Sequence, residues 1–439
     1  METLVKKEEV GAKERVYVEE VKKAHGDEVL VRGWVHKIHD LGKFGFIHLR
    51  DKTGIIQLVA DKETFKELRA EMSIEVVGTK VENPKAPGGI ELQIKDLKVL
   101  GKTYYDMLPI AVNQGKTKVH LETELDHRGI SLRSPKKRAI FKVQEEIVTA
   151  FRDYLRGEKF SEIHTPKILG TGTEGGSEVF TVNYFDRRAF LAQSPQFYKQ
   201  MMVGAGFERV FEIGHAYRAE LHNTWRHLNE YVSLDVEMGF IKDENDVMDL
   251  EEGFIRYLFE YLRKTCSNEL KMYEIELPEK VEIPRMPLSE AHKILLEKYG
   301  KKSPVGNIDA EGEILFSKYV KETYGSDFVF LTEYPVAKRP MYAMPDGKGM
   351  TRSFDLIYKG LEITTGGQRI HDYEMLKENI IKFGLNPEDF DFYIENFRYG
   401  MPPHGGFAIG LERLTMKILN LENIRESTLL PRDMKRMMP

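Results

Sequence analysis

The stretch Phe211-Glu212-Ile213-Gly214-His215-Ala216-Tyr217-Arg218-Ala219-Glu220 decides how this chain is read. Residues 210–213 read as a strand that runs on to Arg218 and Glu220. The polar loop Leu221-His222-Asn223-Thr224-Trp225-Arg226-His227 follows, and a second β-rich run, 231–240, returns with Tyr231 and Asp235. This pattern predicts a pair of strands with a cationic loop at its tip. An arginine near a glutamate is by itself most often a solvated pair of little energetic weight. A second one stands about 195 residues further on, however, at Arg413 in Gly405-Gly406-Phe407-Ala408-Ile409-Gly410-Leu411-Glu412-Arg413. Upstream lies Phe160-Ser161-Glu162-Ile163-His164-Thr165-Pro166.

Outward from that core, apolar residues at 140, 141, 143, 147, 148, 151 and 155 predict an amphipathic helix over 138–156 that leads into the upstream motif. A further helix is predicted over 246–264, so the C-terminal part reads as a mixed α+β domain around an antiparallel sheet. Residues 29–101 differ: short β-rich runs at 29–35, 44–49, 55–59, 74–78 and 90–94 enclose a helix-like 62–71. Five strands with a helix between the third and fourth describe an OB-fold barrel. The expected organisation is a barrel domain over 1–107, a hinge over 108–132 and a second domain over 133–439, with a small helical insertion at about 273–330.

A chain of 439 residues suits two or three cores. Its apolar runs fall short of the ~18 residues a membrane span needs, and the N-terminus has no signal-peptide core, so a cytoplasmic location is expected. The single cysteine, Cys266, excludes an intramolecular disulfide and a Cys-rich zinc site. A net charge of −5 argues against indiscriminate nucleic-acid binding and leaves only local, shaped contacts.

The three motifs, in this order, resemble the signatures of class II aminoacyl-tRNA synthetases. Gln193-Ser194-Pro195-Gln196-Phe197-Tyr198-Lys199-Gln200 and Gly366-Gly367-Gln368-Arg369-Ile370-His371 are similar to segments of the aspartyl members, archaeal-type, and that likeness runs over nearly the whole chain. The resemblance implies an ATP-dependent ligase that joins L-aspartate to tRNA through an aspartyl-adenylate, with ATP as substrate, Mg2+ as cofactor and a homodimer as the assembly. In that chemistry a carboxylate attacks the α-phosphorus of ATP, and guanidinium groups suit the charge because they grip phosphate in a planar fork and stay protonated. Arg218 and Arg413 are the implied catalytic pair, and ATP would be held by them with Glu220, Arg226, His227, Tyr231 and Glu362. Magnesium would take Asp355, Glu362 and Thr365. Lys199 and Arg369 would grip the aspartate side chain, with Glu174, Ser194 and Gln196 for its ammonium. Asp235 would either join them or brace Lys199.

The barrel resembles the anticodon-binding domain of the same enzymes. Phe46 would stack on the middle anticodon base and Gln57 would bond a base edge. His36 and Pro87 resemble the pairing of relaxed members that charge both tRNA(Asp) and tRNA(Asn): Pro87 removes an N–H from its loop, and His36 offers a small ring that accepts either base. The alternatives are an enzyme strict for tRNA(Asp) and an asparaginyl-tRNA synthetase, against which Lys199 and Asp235 both follow the aspartyl pattern. A regulatory protein on an inactive scaffold would be expected to lose motif arginines or magnesium carboxylates.

Overall fold

Alternating apolar residues in five strands wrap the N-terminal unit into a closed barrel. The strands are β1 (Glu28–Asp40), β2 (Phe44–Arg50), β3 (Ile55–Asp61), β4 (Ser73–Glu82) and β5 (Ile90–Gly101), in the order β1-β2-β3-β5-β4. Val31, Val35, Ile47, Leu49, Ile56, Leu58, Ile74, Val76 and Leu92 point inward and are fully or almost fully buried. Residues 46, 48, 57 and 59, one position out of phase, therefore line the outer face. The helix between β3 and β4 is Lys62–Phe65, shorter than the expected 62–71; Asp61 caps it and Phe65 plugs the barrel. The computed structural model describes residues 14–105, 107–113, 119–172 and 178–438.

The chain divides into two units, Met1–His120 and Leu121–Pro439. The second unit begins with the short helices Leu121–Asp126 and Arg128–Ser131, where buried Arg128 donates to the carbonyls of Thr428 and Leu429 at 2.7 and 2.9 Å. Its strands are β6 (Ser161–Glu162), β7 (Ile168–Leu169), β8 (Thr181–Tyr184), β9 (Arg187–Leu191), β10 (Arg209–Tyr217), β11 (Glu230–Gly239), β12 (Arg285–Pro287), β13 (Phe328–Thr332), β14 (Ser353–Tyr358), β15 (Leu361–Arg369) and β16 (His404–Gly410). Eight of them form one sheet in the order β12-β13-β14-β15-β16-β11-β10-β6, antiparallel except at its two ends. β12 and β13 flank the helices Leu288–Tyr299 and Ala310–Tyr324, so the stretch 273–330 supplies two strands of the main sheet.

One face of the sheet is covered by the helices Pro135–Gly157 and Glu244–Thr265. The first has proline in its first turn, where no intrahelical N–H bond is lost, and buries Ile140, Val143, Ile147, Phe151 and Leu155 at helical spacing. The second has Asp243 as N-cap, acids in its first turn and Arg263 and Lys264 in its last, all favourable to the helix dipole. Phe151 and Phe254 meet edge to face at 5.1 Å beneath Phe211, Leu234, Phe354 and Phe407. The other face is polar along one row, because register aligns Glu212, Asp235, Ala408, Thr365 and Asp355 across five strands. Among the described residues no helix is long and apolar enough to cross a membrane.

Candidate active site

On β11, Tyr231, Ser233, Asp235 and Glu237 follow one another at the two-residue strand period and share that polar face. Around Tyr231 a cleft is lined by Arg218, Glu220, Arg226, His227, Tyr231, Glu362, Thr365 and Arg413. Every residue the sequence suggested for ATP thus lines one cavity. Asn229 holds the neck of the 221–227 loop, its amide donating to the carbonyls of Arg218 and Glu220 at 2.7 and 3.0 Å.

The Arg218 guanidinium lies 3.6 Å from the Glu220 carboxylate and 5.8 Å from the Tyr231 ring centre. Arg413 stands in the first turn after β16, donates to the Glu362 carbonyl at 2.9 Å and lies 3.7 Å from the Glu362 carboxylate. Its sequence neighbour Glu412 is tied to β11: both its oxygens accept the Val232 N–H at 3.1 Å, and burial raises its carboxyl to about 8. The acidic partner of Arg413 therefore comes from β15 and not from its own motif. Burial, helped by Arg413, lowers His227 to about 4, so its ring is neutral at physiological pH; Nδ1 lies 2.6 Å from the Thr224 hydroxyl. The Arg226 fork is held from outside the motifs, by Glu313 of the Ala310–Tyr324 helix at 2.8 and 3.0 Å.

Of the suggested magnesium ligands, Glu362 and Thr365 line the cleft, with Thr365 Oγ1 3.2 Å from Glu362 Oε1. Asp355 is buried outside the cleft lining, and its Oδ2 lies 2.8 Å from Arg339, whose guanidinium sits 3.7 Å over the Tyr334 ring. Of the three suggested ligands, Asp355 thus stands apart from the two that line the cleft. Burial raises the Asp355 carboxyl, with Arg339 opposing, and its Oδ1 has no hydrogen-bond partner. A hydroxyl, a carboxylate and an unsatisfied buried oxygen are hard donors that fit Mg2+, which keeps water and phosphate for its other positions.

Beyond Ser233 the polar row becomes an ionic cluster. Lys199, buried on the helix Gln196–Met202, places Nζ 3.1 Å from Asp235, 3.2 Å from the Val236 carbonyl and 3.3 Å from Glu237. Asp235 thus braces Lys199. Arg369 on β15 donates from Nε to Glu237 at 3.1 Å and from Nη2 to the Gly406 carbonyl at 3.0 Å. Glu237 was not legible as a site residue, although it shares the face of Asp235. Burial pushes its carboxyl up, but Arg369 and Lys199 outweigh that and hold it below the usual range. The cluster therefore contains two cations and two anions, the second anion, Glu237, being the one not expected.

Behind it, His404 is fully buried and lowered to about 4, chiefly by burial. Its neutral ring donates from Nδ1 to the Pro402 carbonyl at 2.8 Å, so Nε2 accepts from the Gln200 amide at 2.8 Å. The Gln200 oxygen in turn accepts from Gln196 at 2.9 Å and from the Tyr393 hydroxyl at 3.1 Å. Gln196 is thereby part of a buried brace, while the Ser194 hydroxyl accepts the Gln196 N–H at 3.3 Å. Glu174 lies outside the described residues.

On the barrel, Phe46 is half-buried on the outer face with Phe44 6.0 Å away, and Gln57 donates to Glu91 at 2.8 Å. His36 sits at a β-bulge between Val35 and Lys37. Only 8% of it is exposed; Nδ1 accepts from Arg50 at 2.9 Å, and Arg50 is gripped by Glu71 at 2.7 and 3.0 Å. The expected open ring is instead packed, with its hydrogen confined to Nε2. Pro87 begins the turn Pro87–Gly89 between β4 and β5.

This fold is that of a known group. The family of tRNA synthetases class II (D, K and N) matches residues 120–434, and the OB-fold nucleic acid binding domain matches residues 29–100. The chain belongs to the class II tRNA synthetases and is an enzyme of the aspartate–tRNA ligase kind. It is 49% identical to an aspartate–tRNA(Asp/Asn) ligase of Deinococcus radiodurans, over 97% of this chain and 99% of that one. It is 46% identical to an aspartate–tRNA(Asp) ligase of Pyrococcus furiosus, over 94% and 97%. The crystal structure of asparaginyl-tRNA synthetase from Pyrococcus horikoshii complexed with asparaginyl-adenylate is similar with a TM-score of 0.90, at 31% identity over 97% of this chain and 100% of that one.

Proposed function

We propose that this enzyme activates L-aspartate with ATP to aspartyl-adenylate and transfers the aspartyl group to both tRNA(Asp) and tRNA(Asn). The observation that carries the reading is the order of groups along β11. Tyr231 stands in the nucleotide cleft, Asp235 and Glu237 hold Lys199 and Arg369, and Ser233 lies between. At ~3.4 Å per residue, Tyr231 and Asp235 are about 14 Å apart, room for an adenylate with its phosphorus near the middle.

Arg218 would neutralise the α-phosphate and the attacking carboxylate together, and Arg413 the far end of the triphosphate. Neutral His227 would donate a hydrogen bond there without adding charge. Mg2+, held by Glu362 and Thr365 with Asp355 near them, supplies charge neutralisation on the phosphates when bound. In the ionic cluster Lys199 bonds Asp235 and the Val236 carbonyl and pairs with Glu237, and Arg369 bonds Glu237 and the Gly406 carbonyl. A substrate carboxylate would meet Arg369 and draw Lys199 from Asp235. Asparagine would leave those cations short of a charged partner, a costly defect in a buried site.

Residues 1–107 would read the anticodon through Phe46, Gln57, His36 and Pro87, with 108–132 as hinge and 133–439 as catalytic domain, in a cytoplasmic homodimer. The relaxed tRNA reading is supported by Pro87 and by the name of the Deinococcus relative, while the packed His36 ring does not add to it; the name of the Pyrococcus furiosus relative favours a strict enzyme. Pyrophosphate exchange across the twenty amino acids tests the first step: aspartate should drive it, and exchange with asparagine alone would overturn the assignment. Charging of tRNA(Asn) transcripts tests the second. An efficiency ~1000-fold below that for tRNA(Asp), about 4 kcal/mol, would mean a discriminating enzyme.

A further inference from the structure

The Ala310–Tyr324 helix carries none of the sequence motifs, yet it grips two of them. Glu313, buried at its first turn, binds the Arg226 guanidinium with both oxygens at 2.8 and 3.0 Å, and Oε2 also accepts the backbone N–H of Glu362 at 3.1 Å. One turn on, the Ser317 hydroxyl accepts the Gly360 N–H at 2.8 Å. Gly360 has φ +76°, and a Cβ there would come within 3.0 Å of the Ile314 Cα, so the β14–β15 turn rests directly on the helix backbone. Arg413 closes the ring from the other side through the Glu362 carbonyl. One carboxylate thus connects the arginine of the 221–227 loop to the strand that presents Glu362. A fork-to-fork pair fixes the plane of the guanidinium as well as its position.

We propose that Glu313 is a positioning residue for the triphosphate end of the nucleotide site. It holds Arg226 and Glu362 in one fixed relation, so that phosphates and their cation meet a preformed frame. This deepens the ATP reading above and rests on it.

The test is calorimetric titration of the full chain with α,β-methylene-ATP in Mg2+ and, separately, with AMP, which lacks the β- and γ-phosphates. Glu313→Gln keeps the shape but loses the charge; it should weaken α,β-methylene-ATP by about tenfold or more, the scale of one hydrogen bond to a charged group, and leave AMP within about twofold. Arg226→Met should show the same selective loss, and the double variant should be no worse than the poorer single one. Ser317→Ala, which removes from the same helix the hydroxyl that accepts the Gly360 N–H, should leave the ratio of the two affinities unchanged.

Equal losses for both nucleotides, or a Ser317→Ala loss as selective as that of Glu313→Gln, would reduce Glu313 to general support. Tighter binding of α,β-methylene-ATP by Glu313→Gln would mean that the carboxylate competes for Arg226, which also overturns the proposal. If Glu313→Gln does not fold, Arg226→Met carries the test, and an unchanged affinity ratio in that variant refutes it. A wild-type chain that binds both nucleotides but shows no aspartate-dependent exchange would defeat the substrate reading and leave this one standing.

Discussion

Arg218 differs from most charged residues of this chain in what surrounds it. Lys199 and Arg369 are buried and matched by carboxylates, whereas Arg218 is 38% exposed at the mouth of the cleft, and Glu220 is 3.6 Å away, beyond a tight ion pair. A partly exposed guanidinium on the wall of the cleft can meet a ligand's charge there. Removing such a group from a developing phosphoryl charge costs on the order of 3 kcal/mol. Arg218→Ala should therefore lose at least about a hundredfold in aspartate-dependent pyrophosphate exchange with its thermal midpoint preserved. Near-normal exchange by that variant would remove Arg218 from the chemistry.

The strand β16 shows how one element serves packing and site at once. Gly406 faces Glu237, and a Cβ at Gly406 would fall 2.0 Å from the Val236 carbonyl and 2.4 Å from a Glu237 oxygen. The absent side chain is what lets the Glu237 carboxylate lie across the sheet to Arg369. Gly410, four residues on, has φ −74° and would bring its Cβ no nearer than 3.7 Å to the Arg413 side chain, ordinary contact. Gly406→Ala should thus disrupt the sheet or break the Glu237–Arg369 pair, a loss of several kcal/mol in urea unfolding on the scale of a broken buried ion pair. Gly410→Ala should unfold within ~1 kcal/mol of wild type. Equal tolerance of the two would show that the strands adjust and that the close approach is not required.

At the scale of the molecule, buried acids set a pH dependence. Glu251, on the Glu244–Thr265 helix, is fully buried; burial raises its carboxyl to about 8, with the Thr364 hydroxyl opposing. Its folded value lies above its unfolded one. Its contribution is therefore complete below about pH 4.5 and declines as pH rises through about 8, by up to ~1.4 kcal/mol per unit. Glu412, also near 8, acts in the same direction. His404, lowered to about 4, acts oppositely: the unfolded chain takes up its proton first, so stability rises between about pH 4 and 6.5. Loss should consequently concentrate above pH 6.5. Glu251→Gln should remove ~2 kcal/mol of the fall between pH 6.5 and 8, read as a flatter midpoint-against-pH curve. Parallel curves for the two chains would show that another group titrates.

What the sequence determined by itself was whatever depends on period and order. Alternation in residues 29–101 is enough for the barrel, since only one face of each strand can be buried. The spacing of Ile140, Val143, Ile147, Phe151 and Leu155 is enough for the helix beneath the sheet. The cleft residues were legible only through the likeness of three ordered motifs to a known family, and lining residues at β10, β11, β15 and the helix after β16 meet there only in the fold. Tertiary structure alone decided the partners. Glu313 meets Arg226 across 87 residues, Glu237 meets Arg369 across 132, and Asp355 meets Arg339 in preference to the open cleft. No local pattern encodes such pairs: a buried charge takes whichever opposite charge the fold brings within reach, and the desolvation that compels the pairing exists only once the core has closed.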